Sequence, residues 1–97
     1  MKFSKPELET TFEVPEPLTL DMALRYDSEV ELNTNQAQMY PRLWRGVQAL
    51  AANWQSPHIE ITAGTDEPMT ARGLAVIKWA ALALFGYMYE LKDIPKN

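Results

Sequence analysis

The segment from Trp79 to Tyr89 constrains the fold more than any other, because its eleven residues carry no charged or strongly polar side chain. The apolar segment Leu74–Ile77 precedes it, and only Lys78 separates the two. A membrane span needs about twenty consecutive apolar residues, so a run of this length predicts a buried helix and no membrane association. A helix that is apolar on all sides has to be covered on all sides.

The rest of the chain is too short to cover such a helix completely. A chain of 97 residues forms about one domain, and a domain of this size buries only about 60–65% of its unfolded surface. We therefore expect a second subunit or another protein to cover the remainder, so that the chain is a homo-oligomer. The small residues of the helix, such as Gly73 and Ala80, are equally consistent with packing inside the chain's own core.

The periodicity of apolar residues predicts a mainly α fold with a minor β ribbon. The helices are predicted at about 19–32, 40–55 and 67–92, and the short strands near 10–14 and 58–62. Thr19 and Thr65 are the expected N-caps of the first and third helices, and Asp21 favours the first helix start.

The domain organisation predicted from this pattern is a single domain over 1–97. Its first part, 1–17, is an arm interrupted by three prolines, and 93–97 form a short tail. Because the arm has little apolar content of its own, we expect it to dock on the rest of the domain or on another subunit. The two short strands are expected to pair with each other beside the helices.

Cysteine and histidine, on which many catalytic and metal-binding sites depend, are nearly absent. The chain has no cysteine, which excludes disulfides, thiolate metal sites and a cysteine nucleophile. His58 is the only histidine, and it lies near Glu60 with no evident nucleophile or metal-binding partner. The four glycines are isolated, so they form no phosphate-binding loop. The sequence therefore predicts a protein that is not an enzyme and binds no cofactor or metal.

The charge of the chain is acidic and unevenly distributed. Its net charge is −4, but residues 1–31 carry eight acids and three bases, whereas 32–97 carry five acids and six bases. This distribution lacks the basic surface that nucleic-acid binding needs. The acidic run 27–31 is either a solvated helix face or an imitation of phosphates toward a basic protein. The first twenty residues lack the apolar run of a signal peptide, which predicts a cytoplasmic protein.

Trp44 and Trp54 lie ten residues apart on one face of the predicted second helix. On that face they are either core residues or anchors of a protein interface, where Trp, Tyr and Arg are enriched. Arg42 and Arg45 on the same helix are compatible with the second interpretation.

In several segments the chain resembles the small tail assembly chaperones of tailed bacteriophages. These segments are Phe12-Glu13-Val14-Pro15-Glu16-Pro17-Leu18-Thr19-Leu20 with the helix ending in Tyr26-Asp27, the helix beginning Tyr40-Pro41-Arg42-Leu43-Trp44 with its Trp54, and the helix from Trp79-Ala80 to Ile94-Pro95-Lys96-Asn97. The resemblance implies a helical, non-enzymatic protein that oligomerises and shields the apolar helices of a tape-measure protein. The partner-binding residues would then be Trp44 and Trp54 of the second helix and exposed parts of the third, namely Val76, Leu84 and Met88.

Two other functions are compatible with the same sequence. A small acidic chain is typical of phage or mobile-element inhibitors that bind a host defence protein. A chain that depends on other subunits for its stability is also typical of a structural subunit of a virion or another multiprotein assembly.

Overall fold

Three α-helices and a small antiparallel sheet make up residues 1–30 and 39–92, the part of the chain that the computed structural model describes. This architecture confirms the predicted mainly α class with a minor β ribbon. The elements are β1 (Lys2–Lys5), β2 (Thr10–Glu13), α1 (Leu20–Glu29), α2 (Met39–Leu50), β3 (Ala52–Gln55) and α3 (Ala71–Lys92). The predicted end of the first helix at residue 32 and the predicted tail 93–97 lie outside the described residues.

Helix α1 begins where its capping residue predicts. The Thr19 hydroxyl accepts a hydrogen bond from the Met22 N–H at 3.2 Å, and Asp21 lies in the first turn. Tyr26 and Val30 are buried on the side of α1 that packs against α2. Thr19 is therefore confirmed as the N-cap, and the helix presents a single apolar face to the core.

Helix α2 ends at Leu50, so the prediction that it continues to residue 55 is wrong. Asn53 has a φ of 53°, in the left-handed region that a helix cannot continue through. Residues 52–55 instead form β3, which pairs antiparallel with β2. The Asn53 amide donates a hydrogen bond to Glu13 Oε2 at 2.7 Å and holds the two strands together. Asn is one of the few residues that tolerate this backbone conformation.

The predicted strand at 58–62 is also wrong, because this segment joins no sheet. Its backbone is satisfied by side chains instead of a neighbouring strand. The carbonyls of Ile59, Ile61 and Ala63 accept hydrogen bonds from Trp54, Gln48 and Trp44, at distances between 2.7 and 3.0 Å. These hydrogen bonds take the place of the strand-to-strand hydrogen bonds that the alternation of polar and apolar residues predicted.

Strand β1, which the sequence analysis did not predict, forms the outer edge of the sheet by pairing antiparallel with β2. Phe3 and Phe12 are cross-strand partners, and their rings stack with centroids 4.8 Å apart. Phe3 also contacts Tyr87, and Phe12 contacts Trp79, both edge-to-face. The arm at 1–17 therefore docks on α3 of its own chain.

Helix α3 begins at Ala71, four residues later than predicted. Its N-cap is Thr70, whose hydroxyl accepts a hydrogen bond from the Gly73 N–H at 3.0 Å, and not Thr65. Residues 64–67 form a turn instead, closed by the Glu67 N–H on the Gly64 carbonyl at 3.3 Å. The expectation that Thr65 caps the helix is wrong because that turn, followed by Pro68, separates it from the first helical residue.

Replacing Thr70 by Ala is expected to lower the free energy of unfolding by about 1 kcal/mol, because the Gly73 N–H then loses its capping acceptor. For a domain of this size, this loss lowers the melting temperature by roughly 4–8 °C. Thr65→Ala is the matched control and is expected to change the stability by less than about 0.5 kcal/mol. Thermal unfolding followed by circular dichroism measures both, and equal losses would contradict the assignment of the cap.

Candidate protein-binding site

The residues of α3 expected to face a partner lie in the core of the chain. Val76 and Leu84 have no exposed surface, and Met88 is only 3% exposed. The expectation that they lie on exposed parts of the third helix is therefore wrong. They belong to the face of α3 that packs against α2 and the sheet, where they exclude water from the core.

The two tryptophans of the predicted interface serve the chain's own packing. Trp44 is buried, Trp54 is half-buried, and their rings meet edge-to-face with centroids 5.5 Å apart. The Trp44 indole donates a hydrogen bond to the Ala63 carbonyl, and the Trp54 indole donates one to the Ile59 carbonyl, each at 3.0 Å. The sequence left two interpretations open for Trp44, a core residue or an interface anchor, and the structure shows that it is a core residue.

Other large apolar side chains do reach the surface of the two outer helices. On α3 these are Leu74, Leu82, Tyr89 and Leu91, and on α1 they are Leu20 and Leu24. The fold thus buries one face of α3 and leaves much of the opposite face and of its last turn in contact with solvent. These exposed positions, and not Val76 and Leu84, are available to a partner.

An apolar groove of about 770 Å³ lies between α1 and the C-terminal part of α3. It exists because α1 and α3 both pack against α2, which keeps them apart. Its lining consists mainly of apolar side chains: Pro17, Leu18, Ala23, Tyr87, Met88 and Leu91, together with Glu16. Leu20, three residues before Ala23, neighbours it on the surface of α1, but neither Leu20 nor Leu24 lines the groove. Sequence reasoning missed this feature, because its lining comes from two segments far apart in the chain, 16–23 and 87–91.

The polar atoms of the groove are concentrated at Glu16. The Tyr87 hydroxyl donates a hydrogen bond to Glu16 Oε1 at 3.3 Å, and the ammonium group of Met1 lies 3.3 Å from the same oxygen. Partial burial, and then the Glu16 carboxylate, raise the pKa of the Tyr87 phenol, which therefore stays protonated as a donor. The groove thus presents one carboxylate at the edge of an apolar surface.

The His58 side chain lies beside Glu9, with its Nε2 atom 3.9 Å from Glu9 Oε1, which is too long for a hydrogen bond. Within residues 1–30 and 39–92, no three acidic or histidine side chains group together as a metal site. The absence of enzymatic activity and of a cofactor stays a prediction.

The acidic run of α1 is only partly described. Asp27 and Glu29 are half-buried on α1, and Glu31 lies outside the described residues. Burial, and then the charge of Asp27, raise the pKa of the neighbouring Tyr26 phenol. The placement of Asp27 and Glu29 does not distinguish a solvated helix face from a surface that binds a basic protein.

Helix α3 is the one helix in the described part of the chain that is long and apolar enough to cross a membrane. The qualifying stretch, Ala71–Leu91, has 21 residues, and a third of its most apolar window is buried inside the fold. The core helix of a soluble protein meets the same criterion of length and composition. The expectation of a cytoplasmic protein without a membrane partner therefore stays a prediction.

Comparison of the chain with protein-family models, with curated proteins and with solved structures gave no match. The resemblance to tail assembly chaperones is therefore neither supported nor contradicted by related proteins. The exposed apolar side chains of α1 and α3 and the groove between these helices are the features that indicate a binding site.

Proposed function

We propose that this chain is a non-enzymatic assembly protein that shields an apolar helix of a tape-measure-like partner, as in the tail assembly chaperones that its sequence resembles. The partner helix binds in the groove between α1 and α3. The observation that carries the proposal is the apolar lining of this groove, in which Leu91 of α3 is 46% exposed.

The shape and composition of the groove support a helical ligand. An apolar groove beside two helices can bind a further helix, and an amphipathic helix does so through residues spaced by three and four. Leu91, which lines the groove, is 46% exposed. Covering it with an apolar helix removes an aliphatic side chain from water, which is favourable.

The charge beside the groove favours a partner with a basic residue at one flank. Glu16 Oε1 already contacts the Met1 ammonium group and the Tyr87 hydroxyl, and a carboxylate has a second oxygen that can accept further hydrogen bonds. A lysine or arginine of the partner placed there fixes the orientation of its helix. This contact contributes specificity more than affinity, because the side chain of Glu16 is 56% exposed.

Co-expression with a long helical tape-measure protein tests the proposal, with the soluble fraction of that protein and its co-purification as readouts. We expect the partner to stay soluble only when the chain is present.

Leu91→Glu places a charge in the groove and removes about 1.5–3 kcal/mol of apolar burial. The affinity of the Leu91→Glu chain for the partner is therefore expected to be about 10- to 100-fold lower than that of the wild type.

Leu82→Glu is the matched control, because it makes the same change on the opposite face of α3, outside the groove. We expect this variant to keep the partner soluble. A partner that precipitates beside the wild-type chain would refute the proposed function. A Leu91→Glu chain that binds as tightly as the wild type would refute the assignment of the groove.

A further inference from the structure

We draw no further inference here: the strongest candidate, the apolar cleft of about 150 Å³ that Tyr40, Trp44 and Leu74 line between α2 and α3, is an unpartnered surface, and nothing in the described part of the chain shows what covers it.

Discussion

A chain carrying Leu84→Glu is expected to lose its cooperative thermal unfolding transition. Leu84 has no exposed surface and lies in the middle of the core face of α3. Removing a buried leucine side chain costs about 2–5 kcal/mol, and a carboxylate buried without a partner adds a further penalty. The whole free energy of unfolding of a domain this size is only about 5–15 kcal/mol. Circular dichroism during heating measures the transition.

Leu82→Glu provides the comparison two residues away on the same helix. Leu82 is 49% exposed, so the glutamate remains in water, and we expect the variant to keep a cooperative transition. Comparing the Leu84→Glu and Leu82→Glu variants separates the effect of burying a charge from the effect of placing a charge in an apolar helix. A Leu84→Glu chain that melts cooperatively, within a few degrees of the wild type, would contradict the placement of Leu84 in the core.

The helices were predictable from the sequence because their signals are local. The apolar periodicity from Tyr40 to Leu50 and the Thr19 cap are patterns of a few residues, and both correspond to the observed elements. The strands were less predictable, because each depends on a distant partner. Trp54 continues the helical spacing of α2, yet it lies in β3, where the left-handed backbone of Asn53 and the pairing with β2 outweigh that spacing.

The faces of α3 show why the candidate site was less predictable than the fold. An almost uniformly apolar helix gives no contrast between an inner and an outer face, so Val76 and Leu84 were expected to be exposed when they are buried. The one usable signal was Lys78, since a charged side chain marks the solvent side of a core helix. Residues that share its side, such as Leu82 and Phe85, follow from it by helical spacing. The groove has no such signal, because it is lined by two segments far apart in the sequence, 16–23 and 87–91.

Replacing Gly46 by Ala is expected to destabilise the fold through the contact between α1 and α2. A Cβ atom at this position would lie 2.5 Å from Val30 Cγ2 and 2.7 Å from Tyr26 Cε2. Both neighbours are buried, and neither has a flexible end that can move away, because Val is branched at Cβ and the tyrosine ring is rigid. The added methyl group can therefore be accommodated only if α1 moves away from α2. Such overpacking costs about 1–3 kcal/mol, and for this chain length it lowers the melting temperature by roughly 4–24 °C.

Gly86→Ala makes the same substitution in α3 and is expected to act in the opposite direction. Apart from its two chain neighbours and the backbone of its own helix, no atom of the described residues lies within 4 Å of the position that its Cβ would occupy, so the methyl group meets no obstacle there. Glycine in a helix interior is about 0.5–1 kcal/mol less favourable than alanine, and the melting temperature should rise by a few degrees. Alanine improves helix propensity at both positions. A fall in melting temperature that is confined to Gly46→Ala therefore indicates that α1 and α2 approach each other closely at Gly46. If both variants were stabilised, α1 would have to be packed less closely on α2 than the contacts of Tyr26 and Val30 require.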